Sequence, residues 1–158
     1  MLKRKSFTLI ELLVVIAIMG LLSSIVLAFL GEARKKARDT KRKQDIAQIE
    51  KALIMYWEKH GVFPGENWCD SSRGSCGHSC PCDSNDWDHS SGIWQGLVGE
   101  GFTGSLPKDP INDSTYYYYY EPDCNQGYCP SPAGCCYYRI CASRLETTGT
   151  AFCKKGKW

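Results

Sequence analysis

Glu11 sits in an apolar run that reads Phe7-Thr8-Leu9-Ile10-Glu11-Leu12-Leu13-Val14-Val15, and no other charged side chain appears between Phe7 and Glu32. An acid at mid-membrane costs about 2.5 to 3.5 kcal/mol, and less near an interface, so an intramembrane carboxylate points to a site that needs a named partner. The plainer reading is a tolerated interfacial acid that interacts with the helix dipole and snorkels toward headgroups. A second group able to do chemistry is sulfur. All ten cysteines lie between Cys69 and Cys153, at Cys69, Cys76, Cys80, Cys82, Cys124, Cys129, Cys135, Cys136, Cys141 and Cys153. Such density in a short segment indicates an oxidising compartment and a disulfide framework, whose connectivity the spacing leaves open. The rival is zinc held by Cys69, Cys76, His78, Cys80, Cys82 and His89, with Cys124 and Cys129 as a second knuckle. One crowded knuckle fits zinc spacing poorly.

The elements that position these groups follow from hydropathy and periodicity. Lys3, Arg4 and Lys5 form a basic leader ahead of the apolar span. Leu12 to Leu30 carries no charge, and at 1.5 Å per residue a helix over 7–30 crosses roughly 30 Å of hydrocarbon. Beyond it, Ala33, Ala37, Ile46, Ile49, Leu53 and Tyr56 or Trp57 recur at helical spacing among charged residues, which predicts that the helix continues as an amphipathic one. His60-Gly61 followed by Pro64 reads as its end, a glycine cap and then a breaker. The expected organisation is a leader over 1–6, a long helix over 7–60 and a cysteine-rich head over 61–158.

The residues Lys5-Ser6-Phe7-Thr8-Leu9-Ile10-Glu11-Leu12-Leu13-Val14-Val15 resemble the class III leader of type IV pilins and type II secretion pseudopilins. The resemblance implies cleavage by a membrane prepilin peptidase between Ser6 and Phe7 and N-methylation of the new Phe7 amine. It places Glu11 where the family keeps a glutamate for subunit assembly, paired with the amine of Phe7. That amine belongs either to a neighbouring subunit or, one helical turn away, to the same chain. Ser6 stands where the family most often has Gly, and Ala28 where it commonly has Pro; Ala favours an unbroken helix.

The run Arg34-Lys35-Lys36-Ala37-Arg38-Asp39-Thr40-Lys41-Arg42-Lys43 conflicts with this topology, since positive-inside counting would put the C-terminal part in the cytoplasm. The cysteines and the leader point the other way: N-terminus cytoplasmic, head outside, a single pass through the inner membrane. We read the run as a solvated helix face, with anionic lipid headgroups or acidic patches on filament neighbours as its next candidates. With a net charge of only +2, no specific nucleic-acid partner is expected.

The head is small and needs staples. Residues 64–92 read as an irregular cross-linked loop, and Ile93, Trp94, Leu97 and Val98 as a short helix. Leu106 to Tyr116 read as a turn into a strand. That turn is similar to the proline-aspartate-proline turn of major pseudopilins, and the resemblance implies calcium nearby. Asp109, Asn112 and Asp113 offer oxygens for calcium, or simply cap their own turn. Tyr116 to Tyr120 predict a strand with rings alternating between faces, followed by strands at Tyr137–Ala142 and Thr150–Lys154. The expected fold class is α+β: a long N-terminal helix, membrane-spanning in its first half, packed on a small antiparallel sheet in a disulfide-rich pilin-like head. No catalytic constellation or resident cofactor is expected. The expected function is a structural subunit that polymerises with copies of itself into a pilus or pseudopilus, a surface filament. Its partners would be the prepilin peptidase, the assembly machinery and membrane lipid. The alternative is a single-pass anchored extracellular protein whose cysteine-rich head binds a metal or ligand without polymerising.

Overall fold

The computed structural model describes residues 8–65, 87, 92–123 and 136–157. Ser6, Phe7, His78, His89 and the cysteines at 69, 76, 80, 82, 124, 129 and 135 lie outside the described residues, as do the predicted leader and most of the 64–92 loop. The chain divides into two compact units, Met1–Ala37 and Arg38–Trp158.

Helix α1 (Leu9–His60) contributes to both units, and it is continuous through Ala28. In the first unit its apolar side chains from Leu9 to Leu30 are all exposed, the side chain at 28 aside. This stretch is long and apolar enough to cross a membrane, and none of it is buried among the described residues. In the second unit, Ile46, Ile49, Ala52 and Leu53 face inward and are almost completely buried. The apolar stripe expected from Ala33 starts later than that, because Ala33 and Ala37 belong to the other unit and stay exposed. The helix ends as its residues dictate. Gly61 adopts φ 70°, the left-handed conformation glycine tolerates, and its N–H donates to the Trp57 carbonyl at 2.7 Å. Lys59 Nζ and His60 Nε2 meet Glu100 Oε2 at 2.8 and 2.7 Å, tying the last turn to the segment beyond the predicted short helix. That helix is α2 (Gly92–Trp94), which runs into a π-helical turn over Gln95–Gly99.

The sheet is antiparallel in the order β1 (Tyr118–Asp123), β2 (Tyr137–Ala142), β3 (Phe152–Lys157), with Tyr120 opposite Ile140 and Cys141 opposite Cys153. Period-two alternation sends Tyr118, Tyr120, Tyr138, Ile140 and Ala142 into the core formed by the α1 residues, Phe63, Trp87, Ile93, Leu97 and Leu106. Trp87 brings its polar atom with it and donates Nε1 to the Pro107 carbonyl at 2.7 Å. Tyr117 and Tyr119 take the opposite face, their rings 6.0 Å apart. Gly156 is required by its neighbour, since a Cβ there would collide with the Tyr138 ring.

β1 and β3 each start two residues later and end three residues later than expected, and each start has a local reason. β1 starts at Tyr118 rather than Tyr116 because the Asp113 carboxylate accepts the N–H groups of Thr115 and Tyr116, both at 2.8 Å, and holds them in a turn. β3 starts at Phe152 rather than Thr150. Leu145 N–H donates to the Thr150 carbonyl and Gly149, at φ 70°, donates back to Leu145, so Thr150 closes the hairpin turn. Cys141 and Cys153 form a disulfide across β2 and β3. Cys136 is disulfide-bonded as well, and none of the described cysteines is free.

Candidate functional site

Glu11 is held by its own helix start. Thr8 donates both its backbone N–H and its hydroxyl to Glu11 Oε2 at 2.8 Å, and Glu11 N–H donates to Thr8 Oγ1 at 3.3 Å. This reciprocal pairing is a capping box: the N-cap threonine and the glutamate three residues on satisfy amide groups that the first turn leaves without partners. The signature Thr8-Leu9-Ile10-Glu11 was present in the sequence and escaped the membrane-centred reading of Glu11. The box turns the carboxylate toward the helix start and gives it partners within its own first turn. Oε1 has no hydrogen-bond partner among the described residues.

A second charged cluster, in the other unit, escaped sequence reasoning altogether. Arg42 is fully buried. Its Nε and Nη2 donate to the two oxygens of Asp109 at 2.7 and 2.9 Å, and its Nη1 donates to Asp39 Oδ1 and Glu146 Oε1, both at 2.8 Å. Arg38 adds a fork of its own onto Glu146, with both contacts at 2.6 Å. Asp39 in turn accepts the backbone N–H groups of Glu146 and Thr147 and the Thr147 hydroxyl. The Tyr116 ring lies 4.7 Å from the Arg42 guanidinium. Next to it, Asp45 accepts from Lys41 and from the buried Tyr118 hydroxyl. The cluster clamps α1 to the 109 turn and to the β2–β3 connection. The basic run is thus not a single solvated face: Arg38 and Arg42 are the ion-pair partners of carboxylates far away in sequence.

The predicted calcium candidates fall around this clamp. Asp109 is buried with both oxygens on Arg42, and its Oδ1 also accepts the N–H groups of Ile111 and Asn112. Asn112 takes a positive φ of 53° in the turn, and Asp113 caps the residues that follow it. No group of three or more His, Cys, Asp or Glu side chains positioned for a metal occurs among the described residues.

The environment of the clamp fixes its charge states. Burial raises the Asp39 carboxyl, but hydrogen bonds from the Thr147 side chain, the Glu146 and Thr147 amides and Arg42 outweigh it and hold the group at about 2. Arg38, then Arg42, bring Glu146 down to about 2 against its own burial. Both groups are depressed in the folded state. Each stabilises the fold fully above the unfolded carboxylate range near pH 4, and that contribution is lost as pH falls toward 2. Unfolding followed from about pH 5 to pH 2 should show a loss on the order of 2 kcal/mol per carboxylate. Asp39→Asn and Glu146→Gln should each flatten the profile; an unchanged slope in both variants would deny the clamp this role.

Comparison with known proteins bears on the amino-terminal site. Residues 1–27 match the family described as the prokaryotic N-terminal methylation motif. The amino terminus is thus similar to that of the proteins that carry this motif. The type II secretion system core protein G of Escherichia coli (strain K12) is 40% identical over 65 residues, 41% of this chain and 45% of that protein. Its counterpart from Vibrio cholerae is 41% identical over 62 residues, 39% of this chain and 42% of the relative. That of Pectobacterium carotovorum is 39% identical over 62 residues, 39% of this chain and 40% of the relative. The chain therefore spans less than half the length of the curated relatives it matches. No solved structure matches it. The long apolar helix start, the small antiparallel sheet and the disulfide agree with the pilin-like α+β fold expected from the sequence.

Proposed function

We propose that this chain is a prepilin: a structural subunit, without enzymatic activity, that polymerises into a type IV pilus or pseudopilus after its leader is removed. The observation that carries the reading is the methylation motif over residues 1–27, opening on a helix whose apolar first half is exposed among the described residues. A prepilin peptidase cuts between Ser6 and Phe7 and methylates the Phe7 amine. The new ammonium emerges one residue before the capping box and four residues, about one helical turn, ahead of Glu11 in sequence. Two such charges at close range in a poorly screened setting offset their burial only when paired. Insertion as a single pass with the head outside, followed by filament assembly on a membrane platform driven by a cytoplasmic ATPase, completes the cycle. The names of the relatives favour a type II secretion pseudopilus among the filaments of this kind.

Co-expression with a prepilin peptidase tests the first step. The intact mass should fall by the leader Met1 to Ser6 and rise by one methyl group. A chain that keeps Met1 beside an active peptidase would favour an anchored, non-polymerising binding protein.

A further inference from the structure

The buried clamp divides the basic run, and the portion left outside it has a distinct setting. Arg38 and Arg42 are spent on Asp39, Asp109 and Glu146. Arg34, Lys35 and Lys36, in the first unit, are exposed and follow directly on the apolar span. We propose that Arg34, Lys35 and Lys36 form a collar that binds the phosphate groups of anionic phospholipids around α1. This rests on the reading of the first half of α1 as a membrane span.

Depth is the first argument. If Leu30 marks the edge of the hydrocarbon, the standard rise puts Arg34 to Lys36 about 6 to 9 Å beyond it. The headgroup layer extends roughly 5 to 8 Å on each side of the core, so lipid phosphate lies at that level. Angular spread is the second. Consecutive helical residues are about 100° apart, so these three cations cover about 200° of the helix circumference. A partner on one side would be met by cations three or four residues apart on one face. A headgroup layer surrounds the helix and can engage all three. The Lys35–Glu32 pair does not compete strongly, since its side chains are 46% and 63% exposed and such pairs contribute little. Each cation at an anionic surface strengthens binding by roughly fivefold.

The test uses the full chain in nanodiscs of mixed phosphatidylglycerol and phosphatidylcholine, with native mass spectrometry counting the lipids retained on release. The wild-type chain should keep phosphatidylglycerol preferentially, and the preference should fall with salt. The triple variant Arg34→Gln, Lys35→Gln, Lys36→Gln should lose it by roughly tenfold or more. The charge-keeping variant Arg34→Lys, Lys35→Arg, Lys36→Arg should retain it, which separates charge from any change in the fold. Equal retention of both lipids by the wild type, or an unchanged preference in the Gln variant, overturns the collar. If the Gln variant keeps its lipid preference but no longer assembles, the three cations are a contact between copies and the proposal is wrong. Release of the chain from bilayers by alkaline carbonate would overturn the membrane span itself. An integral chain without lipid preference would overturn only the collar.

Discussion

Arg42→Met unfolds the head at a much lower temperature than wild type, with an expected loss of roughly 3 to 5 kcal/mol. Methionine replaces most of the aliphatic stem, so little of the loss comes from a cavity. The cost is electrostatic. Arg42 donates one hydrogen bond to each oxygen of Asp109, whose side chain has no solvent exposure, and one each to Asp39 and Glu146. Without the guanidinium, three carboxylates are left close together in a buried site, and at least one must take a proton for the fold to persist. Arg42→Lys should recover only part of the loss, because an ammonium cannot reproduce the two-pronged contact with Asp109. Adding Asp109→Asn to Arg42→Met should recover more, since it removes the most deeply buried of the stranded charges. At about 4 to 8 °C per kcal/mol for a domain of this size, the single variant should melt on the order of 15 °C lower in a detergent-solubilised full chain. A shift of only a few degrees would mean that the clamp does not brace the head.

Glu11→Val leaves membrane insertion intact and removes filament assembly, with a fall in filament yield of roughly tenfold or more, the effect of losing one close charge pair in a weakly screened setting. Insertion survives because valine only lengthens an already sufficient apolar run. Assembly fails because the ammonium created at Phe7 then has no carboxylate to meet. The capping box offers a control. Thr8→Ala removes the hydroxyl that donates to Glu11 and accepts its amide but leaves the carboxylate in place. A weakened helix start with assembly preserved should result. If Thr8→Ala and Glu11→Val reduce assembly equally, Glu11 acts by capping its own helix and the charge pair is not the assembly contact.

The features legible in the sequence were those encoded locally. An uninterrupted apolar run, a glycine with a following proline and alternating tyrosines fix the span, the end of α1 and the buried set Tyr118 and Tyr120, because each depends on neighbours a few residues away. Arg42 was illegible for the opposite reason. A cation in a basic helical run has the same local pattern whether it faces water or a buried carboxylate, and its partners Asp109 and Glu146 reach it only when the head closes. The start of β1 was missed because one side chain, that of Asp113, competes with the strand for two backbone amides. At Glu11 the local partner Thr8 is legible in the sequence, because Thr8-Leu9-Ile10-Glu11 has the spacing of a capping box.

The central claim is that the chain works as a cleaved, polymerised subunit with Glu11 facing a newly made amine. Surface fibres sheared from cells that express the chain with its secretion machinery test this most directly, by intact mass and amino-terminal sequencing of the protein they contain. The fibres should contain this chain beginning at an N-methylated Phe7. Fibres without it, with the chain found only in membranes and still beginning at Met1, would contradict the account.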